Sequence, residues 1–106
     1  MNERMILEQA ARHRREFLRW IVLLTANIAR PAPVTLRMLL GVVQGEYSDA
    51  TSMEVRRELD YLDSRALLKV NTDPLGQVSV TLTRAGVDIA EYTVSVEPGI
   101  ARPVKV

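Results

Sequence analysis

The spacing of apolar residues changes along the chain, and each change marks a new element. Ile6, Ala10, Phe17, Ile21, Leu24 and Ile28 recur at spacings of three, four and seven, as one face of a helix does. Residues 3–29 contain no proline or glycine and are rich in Glu, Arg, Leu and Ala, so one long helix is predicted, with Arg12–Arg15 as the place where it would break. Its first half is charged, through Glu3, Arg4, Glu8, Arg12, Arg14, Arg15 and Glu16. Its second half is apolar nearly all round, with Trp20, Ile21, Val22, Leu23 and Leu24 in succession. A helix of that kind is buried on more than one side. One side is expected to face the chain's own core. The other is expected to face a second subunit, with Phe17, Trp20, Ile21, Leu24 and Ile28 as dimer contacts.

Arg30-Pro31-Ala32-Pro33 ends this helix, because proline removes a donor and disfavours helix in the residue before it. Thr35 is a good N-cap for a second helix whose face is Leu36, Leu39, Leu40 and Val43. Gln44-Gly45-Glu46-Tyr47 reads as its stop. Thr51 with Glu54 fits a capping box for a third helix, which buries Val55, Leu59 and Leu62 and runs to about Ser64. The period then becomes two. Leu67–Val70 is a strand, Asn71–Gly76 a turn, and Gln77–Leu82 a second strand, making a hairpin. Thr83 caps a last helix to Glu91, and residues 93–106, with Pro98, Gly99 and Pro103, read as an extended tail. The expected architecture is mainly α with a small β-hairpin: a winged helix-turn-helix with a long N-terminal helix. It divides into a dimerisation helix (1–30), the winged helix-turn-helix proper (31–92) and the tail (93–106).

Composition narrows the function. A chain of 106 residues is one domain with a modest core. It has no cysteine, which removes disulfides and thiolate metal sites, and its one histidine, His13, cannot form a histidine cluster alone. The net charge of +1 is far from that of a nonspecific nucleic-acid coat. The apolar run Phe17–Ala29 contains Arg19 and falls short of the ~20 residues of a membrane span. It also lacks the position and cleavage site of a signal peptide, so a cytoplasmic protein is expected. No serine stands with histidine and acid at a recognisable spacing, and no glycine loop cradles phosphate, so neither an enzyme nor a cofactor is expected. Glu54 and Glu58 share a helix face, but nothing beside them suggests a metal.

The stretch Val55-Arg56-Arg57-Glu58-Leu59-Asp60-Tyr61-Leu62 through Ala66-Leu67-Leu68 resembles the recognition-helix pattern of ArsR-type winged-helix proteins. Leu82-Thr83-Arg84-Ala85-Gly86-Val87-Asp88-Ile89-Ala90, with Val96-Glu97-Pro98-Gly99-Ile100-Ala101-Arg102-Pro103, is similar to small winged-helix proteins encoded by Mu-like phages and prophages. The likeness covers roughly residues 34–104 and implies a phage-encoded domain of DNA-binding type in a bacterial host. Two positions depart from the pattern. Ala66 replaces the usual glycine, so the helix end is not expected to use an easy left-handed residue. Glu97 is inserted within the valine-proline step.

Arg56 and Arg57 fall where related recognition helices contact DNA, and arginine bonds guanine or phosphate. Thr51 and Ser52 can donate to phosphate at the helix start, and Arg37 can touch the backbone from the preceding helix. The wing has no base from Asn71 to Thr83 and carries Asp73 near its tip, which leaves Lys69 and Arg84 to flank it. Against this, Arg56 with Asp60, and Glu54 with Arg57 or Glu58, sit at helical pair spacings and suit a solvated charged face equally well. The cluster Arg12, His13, Arg14, Arg15 and Arg19 reads as a phosphate contact, as dimer pairs with Glu8 and Glu16, or as a solvated face. Arg102 and Lys105 read as a flexible basic end or a partner-binding strand. Two functions stand side by side. One is a dimeric winged-helix protein that binds double-stranded DNA, as a transcriptional regulator or DNA-handling accessory. The other is a winged-helix module that binds another phage protein and no DNA, favoured by Glu54, Glu58, Asp60 and Asp63 in the third helix.

Overall fold

A computed structural model describes residues 1–105. Asn2 opens the first helix, its side chain accepting from the Met5 N–H, and α1 then runs unbroken over Glu3–Ala29. At 1.5 Å per residue this is roughly 40 Å of helix. Its C-terminal half is embedded: Leu18, Val22 and Leu23 are fully buried, with Trp20 and Ala26 nearly so. Residues 1–13 are exposed throughout, so the N-terminal half projects from the body.

After the proline segment come β1 (Val34–Thr35) and α2 (Leu36–Glu46), whose N-cap Thr35 accepts from the Met38 N–H. Gln44–Glu46 continue the helix rather than ending it, and Tyr47 is the C-cap. Helix α3 (Ser52–Ser64) is capped by Thr51, which accepts from the Glu54 N–H. The Glu54 carboxylate does not complete the capping box; it turns to Arg14 instead. Strands β2 (Leu68–Thr72) and β3 (Val78–Leu82) form the hairpin, with Leu68 opposite Leu82 and Thr72 opposite Val78. The turn is tighter than expected, because the Asp73 carboxylate accepts from the N–H groups of Leu75 and Gln77. Strand β1, too short to show a period, pairs antiparallel with β3, giving a three-stranded sheet in the order β1-β3-β2. Thr83 caps α4 (Arg84–Ala90).

The end of α3 corrects the expectation at Ala66. Ala66 takes the left-handed conformation with φ of 59°, its N–H bonds the Asp63 carbonyl, and the Leu67 N–H bonds that of Leu62. This is the Schellman geometry usually closed by glycine, built here on alanine against a cost of about 1 kcal/mol. Gly86 matters for a different reason: a Cβ there would run into the Leu67 backbone carbonyl. Helix α4 therefore packs directly onto the chain leaving α3.

One hydrophobic cluster unites Leu18, Val22, Leu23, Leu39, Val43, Val55, Leu59, Leu62, Val80, Ile89 and Ile100. The division at residue 30 thus marks a change of direction and not a boundary between cores. The tail has no regular structure, yet it is docked. Ile100 is buried, and the Ala101 N–H bonds the Glu16 carbonyl. Arg102 is not a flexible end: it donates to the carbonyls of Ile89 and Val94 and lies over the Tyr92 ring. The inserted Glu97 pairs with Arg65 at 2.7 Å.

Candidate nucleic-acid interface

Helix α3 has three faces. Val55, Leu59 and Leu62 are fully buried and anchor it in the core. A second face turns toward α1 and carries the acids. Glu54 receives two bonds from Arg14, Nε to Oε2 at 2.7 Å and Nη2 to Oε1 at 2.8 Å. Arg14 also reaches Asp49 at 2.9 Å and lies over the Tyr47 ring. These carboxylates, Glu54 first, hold the Arg14 guanidinium more firmly protonated than usual. One turn on, Glu58 is only 2% exposed, and Arg19 donates to it at 2.8 Å. Arg19 also donates to the Gly99 carbonyl and stacks 3.6 Å from the centre of the Tyr61 ring. Gly99 has φ of 99°, and a Cβ there would meet the Tyr61 hydroxyl, so a glycine lets the tail close over this pair.

These two rungs replace the solvated pairings expected for Glu54, Glu58, Arg14 and Arg19. The reason is distance in sequence: the partners lie 40 and 39 positions apart, beyond the reach of any helical spacing rule. Two signals were nevertheless present. Arg19 is the one charge inside the run Phe17–Ala29, and Glu58 stands beside the buried ridge of Val55, Leu59 and Leu62. A lone base and a lone acid, each on a buried face, call for one another.

The third face points away from the body. By helical spacing Met53, Arg57, Asp60 and Ser64 share it, and all four are exposed. Arg56, on its flank, donates to Asp60 at 3.0 Å. Arg57 makes no ion pair with any acid among the described residues. With Glu54 and Glu58 neutralised from α1, this face is less acidic than the sequence suggests.

The remaining candidates fall into two groups. Arg37 and Ser52 come together with Leu36, Leu40, Gly76, Gln77 and Val78, lining a cleft of about 310 Å³ between α2, the start of α3 and the tip of the wing. Thr51 adjoins it, its hydroxyl oxygen engaged in the cap. Lys69 is exposed on β2 opposite Thr81. Arg84 lies beyond the Leu68–Leu82 end of the hairpin, far from its tip, and pairs with Asp88 at 3.3 Å. Arg84 is therefore not brought to the cleft.

The dimer candidates also separate. Trp20 is 4% exposed and meets Tyr92 edge to face inside its own chain, so it is a core residue and not an outward contact. Phe17 and Ile21 are half-buried, while Leu24 and Ile28 are exposed.

A long first helix, a helix pair and a three-stranded sheet ending in a hairpin can be compared with known structures. A crystal structure of a MepR point mutant from a multidrug-resistant S. aureus clinical isolate superposes with a TM-score of 0.62, covering 89% of this chain and 72% of that one at 16% identity. The fold is a winged helix. No family model matches the chain, and no curated protein matches its sequence. In winged-helix terms α3 is the recognition helix and β2–β3 the wing. No helix among the described residues is long and apolar enough to cross a membrane.

Proposed function

We propose that this winged-helix chain binds duplex DNA as a homodimeric regulator or DNA-handling accessory factor in a bacterial cytoplasm. One observation carries the reading: the glutamates of α3 are turned onto α1, leaving Arg57 unpaired on the outward face. Beside it the cleft lined by Arg37 and Ser52 suits a phosphate backbone. Helix α3 would enter the major groove, with Thr51 and Ser52 at its start.

The pairing of two copies is proposed through α1. Ile6, Ala10, His13, Phe17, Ile21, Leu24 and Ile28 follow one another at steps of four, three, four, four, three and four, the rhythm of a helix-pairing seam. This seam runs from the projecting half of α1 onto the body, and Ile6 and Ile28 are more than half exposed in the single chain. Origin in a Mu-like phage or prophage rests on the resemblance of residues 82–103.

The test is fluorescence anisotropy with random 25-base-pair duplex across a salt series. Binding that weakens steeply with salt, and weakens further in Arg37→Ala/Arg57→Ala, supports the reading; each lost phosphate contact lowers the slope by about 0.9. No binding at low salt abandons it. The wing favours the second reading, a module that binds a phage protein. Its tip has no base, its Asp73 is folded into the turn, and Leu75 is 95% exposed. Absence of DNA binding with intact dimerisation would select that reading.

A further inference from the structure

The outward face of α3 carries a specific pair of side chains. Met53 is 75% exposed at the start of the helix. Arg57 follows one turn later on the same face, with no acid of the described residues paired to it. Arg56, the neighbouring base, is held by Asp60 at 3.0 Å. The outward guanidinium free to make a new bidentate contact is thus Arg57. Beside it, where a phosphate-gripping helix would carry another polar group, stands an unbranched apolar side chain. Apolar side chains in the major groove meet the thymine methyl, and arginine meets the guanine O6 and N7 edge. Side chains four apart on a helix lie about 6 Å from one another, close to two base-pair steps of roughly 3.4 Å.

We propose that Met53 and Arg57 set base specificity, reading a thymine methyl and a guanine within about two base pairs of each other in each half-site. This deepens the DNA-binding reading and rests on it. Arg57 is then a base reader and not a phosphate clamp, and Met53 is a reader and not a stray surface residue.

The experiment selects duplexes from a pool with a 20-base-pair randomised core, using the full chain. The best duplex is then remade with deoxyuridine at the thymine nearest the enriched guanine. Anisotropy is read for wild type, Met53→Ala and Arg57→Ala. Both positions are exposed, so both variants fold. Wild type is expected to bind the deoxyuridine duplex about fourfold more weakly, the loss of one buried methyl. Met53→Ala loses that discrimination and keeps the guanine preference. Arg57→Ala loses the guanine preference by about tenfold with an unchanged salt slope. Equal affinity of wild type for thymine and deoxyuridine overturns the proposal. So does an Arg57→Ala variant whose salt slope falls by about 0.9 while its guanine preference stays. Binding without sequence enrichment overturns this inference alone; absence of all binding overturns the DNA-binding reading with it.

Discussion

Arg19 and Arg57 are both arginines on amphipathic helices, and they differ in everything that the fold adds. Arg19 lies inside the molecule, with a carboxylate at 2.8 Å, a carbonyl and an aromatic face around it. Arg57 lies outside, exposed and with no acid beside it. Arg14 and Arg56 stand between these extremes, the first in a bidentate long-range pair and the second in an exposed pair within its own helix. The same side-chain chemistry thus fixes the recognition helix in one place and is left available in another. What separates them is the cost of leaving a charge alone. It is large in the interior and small in water.

That contrast can be broken most visibly at Arg19. Arg19→Ala strands Glu58 in the core and is expected to cost about 3–5 kcal/mol in urea unfolding, while Arg19→Met with Glu58→Leu recovers most of the loss. A single substitution costing under 1 kcal/mol would show that the buried pair is not what anchors α3. Arg14→Ala comes next, at about 1–2 kcal/mol by thermal unfolding, because its pair with Glu54 is partly wetted. Ala66→Gly tests the end of the same helix and should stabilise by about 0.5–1 kcal/mol, since glycine meets φ of 59° without strain. Arg57→Ala should change stability by less than about 0.5 kcal/mol, and its effect belongs on binding alone. The smallest effect is alkaline. Burial, then Glu46, raises the Tyr47 hydroxyl above its ordinary value. The folded state therefore holds this proton more tightly. The contribution is complete below the unfolded tyrosine value near pH 10 and is lost as pH rises through the raised folded one. Tyr47→Phe should flatten that part of the stability curve, and an unchanged slope would remove Tyr47 from the account.

Much of the fold was legible because it is written locally. The caps Thr35, Thr51 and Thr83, the buried ridge of Val55, Leu59 and Leu62, and the alternation of β3 all lie within a few residues of what they determine. The candidate site was legible in part. Arg56, Arg57, Ser52 and Arg37 could be placed at the start and outer side of the helix pair, but Arg84 could not be separated from them, because its distance depends on hairpin register. Trp20 was misassigned as a dimer contact because its partner, Tyr92, sits 72 positions away. Ala66 was misread because a residue's preference does not reveal when packing overrides it. The chain must turn there to bring Leu67 against Gly86.

By itself the sequence determined the elements, their order and hence the winged-helix plan, since periodicity, capping and proline placement act over one or two turns of chain. Only the tertiary structure decided which charges belong to the interior. Glu54 and Glu58 read as surface acids until α1 brings Arg14 and Arg19 across 40 and 39 positions to meet them. A buried charge is tolerated only with a partner in place, and which residue arrives as that partner is settled by how the helices cross.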